Sequence, residues 1–444
     1  MKYLLALALA MLFTARPAFA ETLEQALVQA YQNNPSLEAA RAKLRATDEE
    51  VSQALSHYRP TVDANAQAGR TFQDIPALAG SSWAGNTRGL GVQLTQPLFR
   101  FRTLAEVEEA EKGVRAERAN LQTSEQQLFL DTATAYLDIL RDESILAINQ
   151  QNQELLSQKL QETSDRARYG DLTDTDVEQA KSRLARARVR CLESENQLAT
   201  DKAAYARLVG RAPGRLEAPA LSMASAHTVE EMLHRAESEN PAVVAARFRV
   251  EAADADVDAN KGSLLPEVNL VGNASRNWDQ SSTIPGRGDT AQVLVQLTMP
   301  LYRAGADYSR IRAAQETNTQ RRMEMADTQH RAHEAAANAW QTLTMSEAAM
   351  TSDRLEIAAA GRALEGVREQ SRVGTRTMLD VLNAQEEWLD AKVDLARAEH
   401  DHALSILQLR GATGQLTADA LKLPVDVYDP ERHYNEVRDA WVGF

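Results

Sequence analysis

The longest predicted elements are two proline-free runs in which apolar residues recur at helical spacing. No proline lies between Pro97 and Pro213, and the second half has a matching run after Pro300. Residues 101–168 would form a helix of about 100 Å at about 1.5 Å per residue, and residues 304–372 would form a similar one. Helices of this length are typical of coiled coils.

Each long helix ends at a polar turn that contains a glycine. The first turn lies in RYGDLTDTDVEQA at residues 168–180, and the second lies in VGTRTMLDVLN at residues 373–383. Gly170 and Gly374 are suited to reverse the chain there, because glycine accepts the backbone angles that tight turns require. The pattern predicts two helical hairpins, each bent at one of these turns.

After each turn the helical pattern resumes over a shorter stretch. Residues 174–208 and 377–409 predict the return helices, and Gly210 and Gly411 are placed to cap their C-termini. Apolar residues recur at heptad-like spacing in both hairpins, at Phe129, Ala133, Tyr136 and Leu140 and at Leu389, Val393, Ala396, Ala403 and Leu407. We therefore expect the hairpins to pack as coiled coils.

Between the helical segments, the hydrophobic period changes from helical to alternating. The alternating stretches lie at residues 61–72, 87–98, 266–277 and 290–301. About ten residues is the length at which a tilted strand crosses a membrane. Tryptophans near the strand ends and turn residues between paired strands fit that role: Trp83, Trp278, Pro76, Gly80, Gly85, Pro285, Gly286 and Gly288. The edge of a soluble sandwich remains the alternative on pattern alone.

The same order of elements occurs twice along the chain. LEQALVQAYQNNPSLEAAR at residues 23–41 matches VEEMLHRAESENPAVVAAR at residues 229–247. Both contain an Asn-Pro pair, which predicts a local break in the first helix of each repeat. We divide the chain into a leader (1–20), a first repeat (21–220), a second repeat (221–423) and a C-terminal tail (424–444).

The leader has the form of an export signal. Lys2 precedes an apolar core, and Ala18-Phe19-Ala20 forms a small-x-small cleavage site. The full chain carries 49 basic and 63 acidic residues, a formal net charge of −14, which argues against a nucleic-acid partner. Cys191 is the single cysteine, so the chain has no intrachain disulfide.

Four strands are too few to close a membrane barrel. An open sheet edge in lipid would leave backbone polar groups without partners, so several chains must share one barrel if the strands span a membrane. A dimer would supply eight strands and a trimer twelve, and physical reasoning leaves both open. The long helices are attached to one side of the strands and would project from the membrane.

The sequence resembles the TolC-like family of outer-membrane export ducts over nearly all of the chain after the leader. The resemblance rests on the duplicated Asn-Pro helix starts, on QPLF at residues 96–99 and MPLY at residues 299–302, and on VGTRTMLDVLNAQ at residues 373–385. The wording of this last stretch, together with Tyr428-Asp429-Pro430, most resembles the subgroup that serves one-step (type I) protein secretion.

This resemblance implies a mixed α/β membrane protein that assembles as a homotrimer. Each chain would give four strands to a twelve-stranded barrel in the outer membrane of a Gram-negative bacterium, continued by a coiled-coil α-helical barrel across the periplasm. The implied partners are outer-membrane lipid, a periplasmic adaptor and an inner-membrane ABC or other energised transporter. The exported substrate would be a protein or a small molecule, and no cofactor is expected.

The resemblance also implies a gate at the hairpin turns that closes like an iris. Arg376 would donate to Thr175 and Asp176 of the other hairpin, since a guanidinium can reach two acceptors at once. Ser371 stands where the family usually has an aromatic partner. Asp380 matches an acidic ring at the pore entrance, whereas the second acidic position of that ring is Asn383.

Two other classes of protein would share part of this pattern. An enzyme would need a site such as His330, His333 and Glu334, whose spacing approaches a helical metal pair, but no third ligand or phosphate-binding loop accompanies them. A soluble periplasmic coiled-coil adaptor would explain the hairpins. It would not explain the paired alternating strands in both halves.

Overall fold

The computed structural model describes residues 20–75, 81–221, 228–279 and 286–442. The leader before Ala20 and the predicted loop residues Pro76, Gly80 and Pro285 lie outside these ranges. The elements are α1 (Leu23–Asn33), α2 (Pro35–Ser56), β1 (Thr61–Ile75), β2 (Ser81–Phe99), α3 (Phe101–Arg168), α4 (Asp174–Val209), α5 (Val229–Glu239), α6 (Pro241–Gly262), β3 (Glu267–Trp278), β4 (Arg287–Thr298), α7 (Ala306–Arg372), α8 (Met378–Ala412) and α9 (Arg432–Val437).

The predicted Asn-Pro breaks are confirmed in both repeats. Asn34 separates α1 from α2: its Oδ1 accepts from the Ser36 N–H at 2.9 Å, and its Nδ2 donates to the Leu208 carbonyl at 3.0 Å. Asn240 acts in the same way between α5 and α6, accepting from Ala242 at 2.9 Å and donating to the Ala412 carbonyl at 3.0 Å. Each asparagine thus ties the break to the end of a return helix.

The two long helices are continuous, with α3 at its predicted bounds. Gly210 ends α4 with φ 86°, as predicted for a left-handed C-cap. The prediction for Gly411 is wrong, because α8 continues to Ala412 and the left-handed residue is Gly414, with φ 78°. A Cβ at Gly414 would also lie 2.7 Å from the Glu239 carbonyl oxygen, so the close approach of α5 selects glycine there.

The strands form one antiparallel sheet in the order β1-β2-β3-β4. Its register sets residues of like polarity side by side. One cross-strand row is Val62, Leu94, Gly272 and Val293, and the next is Asp63, Gln93, Asn273 and Gln292. The sheet therefore has one apolar and one polar face, as a barrel with a wet interior needs. All four junctions between strands and helices lie at the same end of the strands.

The strand bounds differ in detail from the predicted ones. β1 and β2 run farther toward their shared loop than 61–72 and 87–98, and their pairing continues beyond the clean alternation. β4 begins at Arg287 and ends at Thr298, so the predicted 290–301 was set too late. Pro300 lacks an N–H donor and restricts the residue before it, which explains the earlier end. Arg276 and Asp289 pair across β3 and β4 at 2.7 Å, near the earlier start.

The chain divides into two compact units. The first comprises the described residues up to Ala40, with Leu121–Val243 and Gln329–Tyr428; the second comprises Arg41–Asn120, Val244–Thr328 and the chain from Asp429. A core cluster of the first unit packs α5, α6, α7 and α8 together through Met232, Ala236, Val243, Ala332, Ala336, Ala339, Leu343, Ile406, Leu409 and Ala412. In the part of the chain that the structure describes, none of the helices combines the length and apolar character needed to span a bilayer.

Candidate functional site at the hairpin tips

The two hairpin turns have the same backbone geometry. Gly170 and Gly374 adopt φ 82° and φ 80°, which an L-residue with a side chain adopts only with strain. The Gly170 N–H donates to the Ala167 carbonyl at 3.0 Å, and the Gly374 N–H donates to the Ser371 carbonyl at 3.1 Å. The duplication thus extends to the hydrogen bonds of the turn, and this pair of turns is what we call the tip.

A threonine and an aspartate cap the helix that follows each turn. Asp176 Oδ2 accepts from the Thr173 N–H at 2.9 Å, while Thr173 Oγ1 accepts from the Asp176 N–H at 3.3 Å. Thr377 and Asp380 repeat this capping box at 2.9 and 3.2 Å. Each aspartate carboxylate therefore satisfies one backbone donor at a helix N-terminus, and each threonine hydroxyl satisfies another.

The capping bonds also fix the charge of the tip. The hydrogen bond from the Thr173 backbone lowers the pKa of Asp176 below its ordinary value, and the Thr377 backbone does the same for Asp380. A bond to the ionised carboxylate favours the charged form. Both aspartates are thus negative at neutral pH.

The other predicted tip residues lie on or beside the second turn and at the start of α4. Arg376 is exposed, and its Nε donates to Gln370 Oε1 at 3.3 Å. Thr175 is exposed in the first turn of α4, and Ser371 precedes the turn glycine of its hairpin. Within the described residues of one chain, Arg376 does not hydrogen-bond Thr175 or Asp176, so those bonds stay a prediction for the assembled protein.

The structure instead joins the two hairpins through an ionic cluster that the sequence analysis missed. Glu386 of α8 pairs with Arg183 of α4 through Oε2 and with Arg190 through Oε1, the latter at 3.1 Å. Arg183 Nη2 also donates to Asn383 Oδ1 at 2.8 Å. Asn383, predicted to lie on the entrance ring, is thus tied to the first hairpin.

An apolar patch and a buried amide bond lie next to this ionic cluster. Gln385 is buried, and its Nε2 donates to Asn152 Oδ1 of α3 at 3.0 Å. The patch consists of Leu156, Leu184, Ala187 and Leu382, with Leu160 and Met378 packed against it. We call the ion pairs, the amide bond and this patch the inter-hairpin seam.

Farther from the tip, a second polar cluster joins α3, α4 and α8. His400 Nε2 lies 3.0 Å from Asp138 Oδ1, and Arg141 Nη2 lies 2.8 Å from Asp142 Oδ1 and 3.7 Å from Asp201 Oδ2. Burial raises the pKa of Asp142 to about 6. Burial, the largest single effect, would lower the pKa of His400, but its interactions with Asp138 and Asp401 together outweigh burial and the pKa is raised. These helices are thus joined by charged groups along their length.

The metal alternative finds no support in the described ranges. His333 Nδ1 lies 2.7 Å from Glu237 Oε1, which makes it one half of a link between α7 and α5. Within residues 20–75, 81–221, 228–279 and 286–442, no three histidine, cysteine or acidic side chains are grouped to hold an ion.

The sheet has one apolar face, and its strands continue at one end into two long helical hairpins with charged tips. These features are those of a subunit of a membrane export channel. A family model for "Outer membrane efflux protein" matches residues 26–211 and 232–415, and the chain belongs to this family. The two matched segments fall in the two repeats.

Individual relatives agree with this assignment. The outer membrane efflux protein BepC of Brucella suis is 35% identical over 433 residues, which cover 97% of this chain and 93% of BepC. The outer membrane protein TolC of Vibrio cholerae is 26% identical over 90% of this chain and 92% of its own. The crystal structure of the Campylobacter jejuni CmeC outer membrane channel has a TM-score of 0.80 at 15% identity, covering 94% of this chain and 89% of CmeC.

The chain is therefore an outer-membrane export channel subunit for drugs or proteins, and not an enzyme. Its fold is the trimeric one, in which each chain adds four strands to a twelve-stranded barrel that an α-helical barrel continues into the periplasm. The predicted family and the predicted outer-membrane location of the protein are both confirmed.

Proposed function

We propose that the tip is the gate of this export channel and that it opens by separation of the two hairpins. The observation that carries this proposal is the inter-hairpin seam, in which Glu386 of one repeat is held by Arg183 and Arg190 of the other. Ion pairs are suited to a reversible closure, because partly exposed pairs contribute only about 1 kcal/mol or less each. The turns themselves keep their shape through their own capping boxes.

The latch that Arg376 forms lies, in this proposal, between neighbouring copies in the trimer. Arg376 is exposed and its only bond to a described residue is the 3.3 Å one to Gln370. Asp176 uses Oδ2 for its cap, which leaves Oδ1 for a guanidinium from another copy. Thr175 is exposed beside it, and Ser371 offers a shorter side chain than an aromatic partner would.

Asp380 forms the acidic ring of the pore entrance in the same proposal. Its carboxylate is ionised, and three copies around one axis would attract cations into the pore. Asn383 adds no charge and is bound by Arg183, so the entrance has one carboxylate ring.

The channel would receive its substrate from a periplasmic adaptor and an inner-membrane ABC or other energised transporter. The relative of 35% identity is called an efflux protein, which supports small molecules as one substrate class. Export of proteins by the type I route is the second candidate, and it is supported by the wording of residues 373–385. Deleting the protein and comparing drug sensitivity with secreted proteins separates the two.

Block by a multivalent cation tests the acidic ring. We expect Asp380→Asn to weaken block of single channels in planar bilayers by hexaamminecobalt(III), because the amide can still accept the Thr377 bond but carries no charge. Asp174→Asn, an exposed acid in the first turn of α4, is the matched control and should leave block unchanged. Equal block in Asp380→Asn and the wild type would place the ring elsewhere.

A further inference from the structure

The C-terminal tail runs along α3 toward the sheet. Glu431 Oε1 lies 2.8 Å from Arg118 Nη1, and Arg438 Nη2 lies 3.1 Å from Glu111 Oε1. The Arg118 guanidinium also lies 5.1 Å from the centroid of the Tyr434 ring. Later tail residues therefore pair with earlier residues of α3, and the tail approaches the helix end that joins β2.

Arg59 holds the last described residues of the tail near the start of β1. Its Nη1 donates to the Ala440 carbonyl at 2.5 Å, and its Nη2 donates to the Arg438 carbonyl at 3.3 Å. The same guanidinium lies 5.3 Å from the centroid of the Trp441 ring. Because Arg59 stands two residues before Thr61, where β1 begins, the last described residues of the tail lie beside the junction of α2 and β1.

The residues held there are apolar and open to solvent. Trp441 is 67% exposed and Val442 is 93% exposed. Other exposed apolar and aromatic side chains occur at this end of the strands or just beyond it: Leu98, Phe99, Phe101, Leu265, Leu301 and Tyr302. Tryptophan is enriched at the membrane–water boundary, where its ring and its N–H find different surroundings. Arginine beside it suits the phosphate groups of the lipid surface.

We propose that Trp441 and Val442 insert into the periplasmic leaflet of the outer membrane and act as an interfacial anchor beside the barrel. Arg59, two residues before β1, holds the Trp441 ring near the start of the membrane sheet, and this closeness selects lipid as its partner. Arg59 positions the ring through the two carbonyl bonds and the stacking contact.

Quenching by lipid tests the anchor in the full channel. Val442→Cys in a Cys191→Ser background is labelled with an environment-sensitive fluorophore and reconstituted into phosphatidylethanolamine–phosphatidylglycerol vesicles. We expect blue-shifted emission and loss of most of it when the lipids carry a nitroxide near the headgroup. Glu436→Cys, labelled on the exposed side of α9, is the matched control and should keep its emission.

Three further variants separate the anchor from a protein contact. Arg59→Gln should reduce quenching at position 442, and Trp441→Ser should reduce it more than Trp441→Phe. Equal, weak quenching at 442 and 436 would overturn the proposal. Blue-shifted emission in the vesicles that the lipid nitroxides do not quench would also overturn it, because protein, such as a second copy of the chain, would then cover the patch.

Discussion

Single residues at the tip combine two tasks. Asp380 accepts capping bonds from Thr377 and, in the proposed gate, presents its charge to the pore. Resemblance to the family predicts only the second task, although Thr-x-x-Asp before an apolar run is also a capping signal. The partners of Arg376 were harder to predict, because a side chain at an exposed turn is paired by tertiary or quaternary structure.

One carboxylate outside the tip is buried, and only the structure reveals that its burial destabilises the charged form. Asp48 of α2 is 0% exposed, and neither of its oxygens has a hydrogen-bond partner among the described residues. Burial raises its pKa from 3.8 to about 6, although Arg118 and His433 oppose the shift. The helical pattern of α2 marks Asp48 only as another charged position, so its burial was not predictable.

The pH dependence of stability follows from this shift. The native state binds the Asp48 proton more tightly than the unfolded state, so the carboxyl destabilises the protein increasingly as pH rises from 3.8 through about 6. We expect Asp48→Asn to raise the trimer melting temperature at about pH 8 and to lose this advantage near about pH 4. Glu50→Gln, on the exposed side of α2, is the control. A lower melting temperature for Asp48→Asn at the higher pH would show that the ionised Asp48 carboxylate does not destabilise the native state.

At the scale of elements, the helices were predicted best where one local rule decides. Pro97 and the turn at Gly170 set the predicted bounds of α3, and Asn34-Pro35 set the break between α1 and α2. The end of α8 was missed because two glycines were available, and the approach of Glu239 to Gly414 decides between them. The seam was also missed, since the register of α4 against α8 cannot be derived from either helix alone.

Glu386→Gln tests whether the seam holds the hairpins together. The change removes the charge that pairs with Arg183 and Arg190, and we expect cysteines placed across α4 and α8 near the tip to cross-link less efficiently. The loss should be modest, on the order of 1 kcal/mol, because these side chains are partly exposed. The neighbouring exposed acid gives the control, Glu387→Gln, which should cross-link like the wild type. Unchanged cross-linking in Glu386→Gln would show that these ion pairs do not hold the hairpins together.

At the scale of the whole molecule, duplication and incomplete closure explain why the chain needs copies of itself. Each repeat supplies two strands and one hairpin, and the four-stranded sheet presents apolar and polar faces without closing. The sequence pattern predicted the strands and the need for shared closure. It could not choose between eight and twelve strands, because the number of copies depends on how neighbouring chains meet.

Single-channel conductance in planar bilayers tests the central claim, that the hairpin tip is the gate. We predict that Arg376→Ser increases the resting conductance, because it would remove the donor that, in the proposed gate, holds neighbouring tips together. Arg372→Ser is the matched control, since Arg372 pairs with Glu369 of its own helix at 2.8 Å, and it should conduct like the wild type. A resting conductance of Arg376→Ser equal to that of the wild type would contradict the gate.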